Sequence, residues 1–290
     1  MTSFNKKAIT DIFCDPEFRE RIKDTYAGSQ LQRSFSDQRI QSQFVALYRY
    51  MLEKSYRAIE NGQRQLAFDL ARPERIKNQI ITVAQLGLSL DPADKEAYFD
   101  TEFGGAGDLS VKIIFGIDGI SLLLNKCSDV RSVACNVIYE GDHFEWYGED
   151  ESPAFSQDLT NTRNSIIGAW GRIRLTNGDV LCTRIPGHEI EAVATEQVRV
   201  AEHFGQQTPW TEWKDKCVRN MVLRRLFKER AKSLNLVGPN VELEESGTGV
   251  QAVPVNDSSD SVSDDDFEKL LSSVEDDIPK AKENETEPHS

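Results

Sequence analysis

The segment from Trp210 to Lys232 constrains the fold of this chain most strongly, because neither Gly nor Pro interrupts it. Such a run predicts one long helix. At about 100° per residue, this helix has an apolar stripe formed by Val218, Val222 and Leu226. A second stripe is basic and consists of Lys214, Arg225, Lys228 and Lys232. One face is therefore expected to pack against the protein while another presents a row of cations.

The charge of the chain is distributed unevenly. The predicted helix holds eight basic and three acidic residues, although the formal net charge of the whole chain is −14. Residues 241–290 contain fifteen Asp and Glu against three Lys, a net charge of −12, which leaves −2 for residues 1–240. A row of cations on an almost neutral body suits a phosphate backbone, whereas a solvated surface helix is the plainer interpretation.

Composition also predicts the domain organisation. Residues 241–290 are poor in aromatic residues and rich in Ser, Asp and Glu, so burial of apolar surface cannot offset the entropy of ordering them. We expect a disordered acidic tail there. Residues 1–240 are expected to form the core domain, with a helical part over about 1–90, a sheet over about 95–186 and C-terminal helices over about 187–235.

The spacing of apolar residues predicts two helices in the N-terminal part. The first begins at the N-cap Ser36-Asp37 and ends at Asn61-Gly62. The second begins near Pro73 and ends around Gly87. A role in the core fits the first helix. We also hypothesise that it contributes to a subunit interface through three tyrosines, Tyr48, Tyr50 and Tyr56.

Turn signals and period-two patterns predict antiparallel strands in the middle of the chain. Ala97–Phe99 and Val111–Phe115 are separated by a Gly-rich turn at Gly104–Gly107. Two hairpins follow, and their strands are Val133–Tyr139 with His143–Tyr147 and Ile166–Leu175 with Val180–Ile185. Asn177-Gly178 in the last of these is the strongest short hairpin signal. Antiparallel β-hairpins packed with flanking helices predict an α+β fold.

The sequence shows no catalytic constellation. The Gly104–Gly107 loop lacks the Lys-Ser/Thr that follows in a P-loop, and His188 and His203 have no Ser or Cys partner spaced for a triad. The five cysteines form no CxxC pair, and with the four histidines they show no zinc-ligand spacing. We therefore predict no enzyme, no catalytic residue and no metal site. Because no apolar run spans a bilayer and no signal peptide is found, we expect a cytoplasmic protein without membrane contact.

Two groups of residues raise the possibility of a metal-dependent nuclease, which is an alternative to a protein that only binds nucleic acid. Glu140, Asp142 and Glu145 crowd one predicted hairpin, and carboxylates in such a group can hold a divalent metal. Glu212-Trp213-Lys214 also has the E-x-K spacing of many nucleases. That pair lies inside a helix pattern, however, and acidic turn residues are usually solvated. Neither signal therefore favours a nuclease.

Cations on the predicted strands favour single-stranded nucleic acid. Trp170, Arg172 and Arg174 alternate along one strand and therefore share a face of the sheet. An aromatic ring beside guanidinium groups matches single strands, whose bases stack and whose phosphates attract cations. The alternative is that Trp170 packs in the core and the arginines pair with acids. The predicted DNA-binding residues are Lys112, Trp170, Arg172, Arg174, Arg184, Lys214, Lys216, Arg219, Arg224, Arg225 and Lys228.

The basic strands and the basic helix are expected to converge along one continuous trough. Such a trough on a nearly neutral body would track a phosphate backbone. Trp210 and Trp213, three residues apart, are expected to attach the last helix to the sheet rather than to stack on bases.

Several motifs of this chain match one known family in order and spacing. They are Gly87-Leu88-Ser89-Leu90-Asp91-Pro92, Glu96-Ala97-Tyr98, Ile138-Tyr139-Glu140-Gly141-Asp142-His143-Phe144, Arg172-Ile173-Arg174-Leu175, Pro209-Trp210 and Arg224-Arg225-Leu226. From Ala84 to Arg225 the chain resembles the RecT family of phage and prophage single-strand annealing proteins. Two segments depart from that family. Gly116-Ile117-Asp118-Gly119 lacks its aromatic and basic residues, and Arg219-Asn220 stands where a pair of lysines is usual.

This resemblance implies ATP-independent binding of single-stranded DNA and annealing of complementary strands into duplex. It also implies a homo-oligomer, either a ring or a helical filament, and a companion 5′-to-3′ exonuclease in a bacterial host cell. No cofactor is expected to be required, and Mg²⁺ is expected at most to modulate DNA binding. A scaffold that protects single strands without annealing them is the second alternative.

An apolar motif in the acidic tail predicts a partner-binding segment at residues 264–274. Its apolar residues follow Asp264–Asp266 at helical spacing and are Phe267, Leu270, Leu271 and Val274. A peptide of this kind folds as it enters a partner's groove. We hypothesise that it binds the companion exonuclease or the host single-strand binding protein. A linker fragment without function, and a tail that competes electrostatically with DNA, are the alternatives.

Overall fold

The computed structural model describes residues 4–103, 109–158, 165–203, 208–230 and 271. The chain divides into two compact units, with a boundary between Gly116 and Ile117. Both units contain helices and antiparallel strands, which confirms the predicted α+β fold. Of the predicted tail, residues 241–290, only Leu271 is among the described residues. No helix in the described ranges has the length and apolar character needed to cross a membrane.

The first unit combines helices with a two-stranded sheet. Its helices are α1 (Lys6–Phe13), α2 (Pro16–Ala27), α3 (Asp37–Glu60) and α4 (Pro73–Leu86). Its strands are β1 (Ala97–Phe103) and β2 (Leu109–Phe115), which pair antiparallel. Short 3₁₀ turns occupy Arg64–Leu66, Phe68–Leu70 and Pro92–Asp94.

Local signals determine where the two predicted helices of this unit begin and end. The Ser36 hydroxyl accepts a hydrogen bond from the Arg39 N–H at 3.2 Å and so caps α3. Gly87 follows α4 with a φ of 79°, a conformation that favours glycine. A Cβ at Gly87 would also lie 2.9 Å from the Leu31 Cβ. The predicted ends of both helices are therefore confirmed.

The tyrosines of α3 belong mainly to the core of the first unit. Tyr48 is fully buried, and Tyr50 is 7% exposed and donates its O–H to the Phe99 carbonyl at 2.9 Å. Tyr56 is half-buried and meets the Phe4 ring edge-on. The hypothesis of a tyrosine-lined subunit interface is therefore wrong for Tyr48 and Tyr50, because their side chains are already covered within their own unit.

A buried carboxylate holds the turn between α4 and β1. Glu96 is 6% exposed and accepts hydrogen bonds from the Ser89 N–H at 2.7 Å and from Arg33 Nη1 at 2.5 Å. Gln43 Oε1 accepts from the Leu90 N–H at 3.0 Å. Backbone groups of a buried turn require such partners. The turn is thus fixed by side chains from distant parts of the sequence.

The second unit is built around a three-stranded sheet. Its helices are α5 (Ile117–Lys126), α6 (Gly187–His203), α7 (Pro209–Glu212) and α8 (Lys214–Arg230). Its strands are β3 (Val130–Tyr139), β4 (His143–Glu145), β5 (Ala154–Ser156), β6 (Ile166–Leu175) and β7 (Val180–Pro186). The sheet has the antiparallel order β3–β6–β7, and β4 pairs with β5. The predicted β6–β7 hairpin around Asn177-Gly178 is confirmed, with a φ of 98° at Gly178.

The predicted hairpin of Val133–Tyr139 with His143–Tyr147 is wrong. The chain does turn at Gly141, where φ is 95°, but β3 pairs with β6 while β4 pairs with β5. The partners Val137 and Ala169 show why, because both are buried on the same face of the sheet. Burial of a shared apolar face outweighed the local turn signal.

Helices α6 and α8 cover one face of this sheet. Its core consists of Val137, Tyr139, Ala169, Ile185, Ile190, Val218 and Val222. At Gly171 an added Cβ would lie 2.6 Å from Val222 Cγ1 and 3.3 Å from Cys135 Sγ. Glycine is therefore required at this position for α8 to lie so near the strand.

The long helix predicted for the C-terminal part is interrupted at Trp213, so the prediction of one continuous helix is wrong. Trp213 has φ −126° and ψ 36°, and it separates α7 from α8. Its N–H donates to the Pro209 carbonyl at 2.7 Å, and its carbonyl accepts from the Cys217 N–H at 3.1 Å. Because both backbone groups keep a partner, the interruption needs neither Gly nor Pro.

Replacing Glu96 with Ala is expected to lower the free energy of unfolding by about 3 kcal/mol, because Arg33 and a buried N–H lose their acceptor. Glu102→Ala is the matched control in the same unit, since Glu102 is half exposed in its ion pair with Lys112. We expect the control to change stability by less than about 0.5 kcal/mol. Urea unfolding followed by circular dichroism measures the free energy of unfolding of both variants. Equal decreases in the two variants would contradict the role given to Glu96.

Candidate nucleic-acid interface

Three arginines of the second unit share the sheet face that α8 leaves uncovered. Trp170, Arg172 and Arg174 alternate along β6 with Gly171, which contacts α8 on the opposite face. Arg184 on β7 is the register partner of Trp170 and therefore lies on the same side. We call Arg172, Arg174 and Arg184 the arginine face.

Carboxylates do not neutralise the arginine face. Within the part of the chain that the structure describes, none of its three guanidinium groups forms an ion pair. Arg172 Nη1 donates to the Ser152 hydroxyl at 3.1 Å. The Arg184 Cζ atom lies 5.2 Å from the centroid of the Trp146 ring. These groups can therefore form charge-assisted hydrogen bonds with an anionic ligand.

The ring of Trp170 is not open to bases, which corrects the prediction that it stacks on them. Trp170 is 4% exposed and packs edge to face against Phe155, with 5.7 Å between the ring centroids. Phe155 belongs to the β4–β5 hairpin, which thus covers the ring. The Trp170 indole nitrogen is buried and has no acceptor among the described residues.

Two aromatic residues beside the arginine face are missing from the predicted site. Phe144 and Trp146 stack with centroids 6.4 Å apart and an interplanar angle of 30°, and both are half-buried. Phe144 is the register partner of Phe155, so a row of rings extends from Arg184 to Trp170. The two-residue spacing of Phe144 and Trp146 is a strand signal that predicts both rings on one side of the chain, although Trp146 follows the end of β4.

The cations of α8 lie on the other side of the sheet, and α6 neutralises part of them. Lys214 Nζ lies 2.6 Å from a Glu191 oxygen, and Arg225 Nη2 lies 2.7 Å from a Glu189 oxygen. The other predicted cations of α8 are the exposed Lys216, Arg219 and Lys228 and the half-buried Arg224. Because sheet and helix present their cations on opposite sides, the expectation of one continuous trough is wrong.

Lys112 belongs to the first unit, unlike the other predicted DNA-binding residues. It lies on β2, and its ammonium nitrogen is 2.8 Å from a Glu102 oxygen. Its charge is therefore balanced within its own unit.

Only one of the predicted partner-binding residues lies among the described residues. Leu271 is helical and 1% exposed. Phe267, Leu270 and Val274 lie outside the described ranges. The partner-binding role of this segment stays a prediction.

The carboxylates near the turn after β3 include two with local hydrogen-bond partners. The Asp142 carboxylate accepts hydrogen bonds from the Tyr139 N–H and the Asp158 N–H, each at 2.9 Å. The Glu145 carboxylate accepts the O–H of Tyr147. Among the described residues, no three His, Cys, Asp or Glu side chains form a group that could hold a metal ion. The nuclease alternative finds no support in this part of the chain.

Three cysteines of the second unit remain protonated at neutral pH. Burial raises the pKa of the Cys135 thiol to about 12, although the nearby Arg219 guanidinium opposes this shift. Burial also raises the pKa of Cys182 and of Cys217. Because the thiolate is the reactive form, none of these thiols is poised as a nucleophile.

An α+β chain whose arginine face forms no ion pair with a described carboxylate is a candidate nucleic-acid-binding protein. The model of the RecT family matches residues 51–248, which is more than half of the chain, and the chain therefore belongs to the RecT family. The chain is also similar to Protein RecT of Escherichia coli (strain K12), with 26% identity over 160 residues. That alignment covers 51% of this chain and 55% of the relative, so the chain spans about half the length of the curated relative it matches.

Removing two carboxylates of α6 is expected to strengthen binding of polyanions by α8. Glu189→Gln/Glu191→Gln releases two basic side chains from ion pairs, and we expect elution from heparin at a higher salt concentration. The matched control is Glu202→Gln/Glu229→Gln, which removes the same charge from two exposed carboxylates of the second unit that form no ion pair with a described residue. If both double variants elute together, the α8 cations do not contribute to anion binding.

Proposed function

We propose that this protein binds single-stranded DNA and anneals complementary strands without ATP, in recombination of the phage type. Membership of the RecT family supports this function. The single observation that carries it is the arginine face, because its guanidinium groups lie on one side of a sheet and have no carboxylate partner among the described residues. The protein acts as a homo-oligomer, a ring or a helical filament, in the cytoplasm of a bacterial host.

The arginine face binds phosphates and leaves the pairing edges of the bases accessible. A guanidinium group binds phosphate oxygens through two parallel hydrogen bonds. Such contacts position the backbone but read no sequence. The half-buried rings of Phe144 and Trp146 lie beside these cations and offer bases an apolar surface. A strand held in this way can still pair with its complement.

Annealing needs no ATP because duplex formation is itself favourable. Stacking in DNA contributes on average about 1.4 kcal/mol per base-pair step. The protein has only to bring two strands together, and cations do so by reducing the repulsion between their phosphates. Accordingly, no residue has a catalytic role and no cofactor is required. Mg²⁺ at most modulates the binding of DNA.

The function is tested by mixing labelled complementary oligonucleotides with the protein in the absence of ATP. We expect duplex to form faster than without protein. Slower pairing would indicate a scaffold that only protects single strands. Shortened products would indicate a nuclease.

The triple variant Arg172→Ala/Arg174→Ala/Arg184→Ala is expected to weaken single-strand binding and to slow annealing. Because log K falls as log salt concentration rises, each lost phosphate contact makes this slope shallower by about 0.7 on single strands, and three lost contacts make it shallower by about 2. The matched control replaces three exposed cations of helices with Ala, and these are Arg57, Lys126 and Arg199. If the arginine-face variant and the control show the same salt dependence of binding, the arginine face does not contact phosphates and the proposal loses this site.

We also infer that the tail carries a docking motif for a companion exonuclease or the host single-strand binding protein. The motif is the apolar set Phe267, Leu270, Leu271 and Val274. A helical segment with one apolar side suits a partner's groove. Since Leu271 is 1% exposed, a partner that binds this residue has to compete with its burial in the chain.

Deletion of residues 241–290 is expected to spare annealing of purified strands and to abolish retention of the partner in a pull-down. Phe267→Ser/Leu270→Ser in the full chain removes apolar contacts and keeps the acidic charge, and it is expected to abolish retention too. If the truncated protein still retains the partner, the docking motif is refuted. Tighter DNA binding after truncation would instead show that the tail competes with DNA.

A further inference from the structure

Trp213 is an exposed tryptophan at the interruption between two helices. It is 51% exposed, whereas Trp210 packs against the apolar cluster that contains Val218 and Val222. Residues three apart on a continuous helix lie on the same side. An unbroken helix would thus have directed both rings toward the core. The expectation that both tryptophans attach the helix to the sheet is confirmed for Trp210 and wrong for Trp213.

Two cations follow this ring along α8. Lys216 Nζ lies 3.9 Å from the centroid of the Trp213 ring, which is a cation–π contact. Arg219 follows three residues later on the same side of the helix, and both cations are exposed. Neither of them forms an ion pair with another described residue, in contrast to Lys214 and Arg225. An exposed ring and two cations that have no carboxylate partner in the described ranges therefore lie next to one another.

We propose that Trp213 is a stacking surface for an unpaired base of a single strand, with Lys216 and Arg219 bound to the phosphates beside that base. This inference rests on the proposed function and adds a base contact on the side of the sheet opposite the arginine face. It also assigns a ligand to the most exposed tryptophan of the described chain.

Stacking on Trp213 selects unpaired bases. Within a duplex, neighbouring bases cover both faces of each base, so an aromatic ring finds a base face only in a single strand. The contact uses the face of the base and leaves its pairing edge to the complementary strand. Lys216 then exchanges its contact with the ring for a hydrogen bond to phosphate, which is the stronger interaction of the two.

A second copy of the chain is the other ligand that suits an exposed tryptophan, because Trp is frequent at protein interfaces. Lysine, however, is depleted from the centres of such interfaces. Here the ammonium group of Lys216 lies directly over the ring. The local charge therefore favours an anionic ligand over another protein surface.

The test compares Trp213→Ala with Tyr147→Ala in binding of oligothymidylate, measured by fluorescence anisotropy. Tyr147 is the matched control, since it is 54% exposed in the same unit but its O–H is bonded to the carboxylate of Glu145. We expect Trp213→Ala to weaken binding about 5- to 150-fold, which is one stacked base of about 1–3 kcal/mol converted at about 1.4 kcal/mol per tenfold. Tyr147→Ala is expected to leave binding unchanged, and Trp213→Phe, which keeps a ring, to retain most of the affinity.

An abasic oligonucleotide of the same length separates stacking from charge. The wild-type protein and Trp213→Ala are expected to bind it equally, because it offers phosphates without bases. The inference is overturned if Trp213→Ala weakens binding of both oligonucleotides by the same factor. It is equally overturned if Trp213→Ala binds oligothymidylate as tightly as the wild-type protein does. It is also overturned if the loss accompanies dissociation of an oligomer in sedimentation, which would indicate a contact between copies. A wild-type protein that binds neither oligonucleotide would overturn the proposed function together with this inference.

Discussion

The close approach of α8 to the sheet at Gly171 determines how the second unit distributes its charge. A Cβ there would lie 2.6 Å from Val222 Cγ1, so a side chain would push the helix away. Because α8 occupies this face, the side chains that alternate with Gly171 remain on the other one. The cations of the helix and of the sheet consequently lie on opposite sides, instead of in the single trough that basic strands beside a basic helix suggest.

The two sides also differ in what surrounds their cations. Lys214 and Arg225 on α8 are held by carboxylates of α6, which a phosphate would first have to displace. Arg172 and Arg184 lie instead near tryptophan rings. A cation–π contact at an exposed site contributes about 0.5–1 kcal/mol, whereas a hydrogen bond to a charged group contributes about 1.5–3 kcal/mol. Exchange of the ring for a phosphate is therefore favourable at the exposed Arg184.

Sequence signals that act over a few residues predicted the ends of elements correctly. The cap at Ser36 and the turns at Gly87 and Asn177-Gly178 are examples. Each of these signals acts through the hydrogen bonds or the φ angle of the residues that carry it, and not through distant parts of the chain. The partner of β3 depends instead on which strand shares its apolar face, and two other strands come between β3 and β6 in the sequence. The sequence left open whether Trp170 is buried or stacks on bases, and its burial depends on a distant segment, because the independently paired β4–β5 hairpin covers its ring.

The motif at Gly87–Glu96, which carried much of the resemblance to the family, has a structural role in this chain. The Glu96 carboxylate holds a backbone N–H and the Arg33 guanidinium inside the first unit. Such a network restricts its residues because each lost partner leaves a buried polar group without a hydrogen bond. The arginine face is defined differently, by the absence of carboxylate partners among the described residues, and two-residue spacing in a sequence does not show that property. Among the motifs that match the family, the Gly87–Glu96 segment is therefore constrained by buried hydrogen bonds, whereas Arg172 and Arg174, which belong to another of these motifs, lie on the surface proposed to bind DNA.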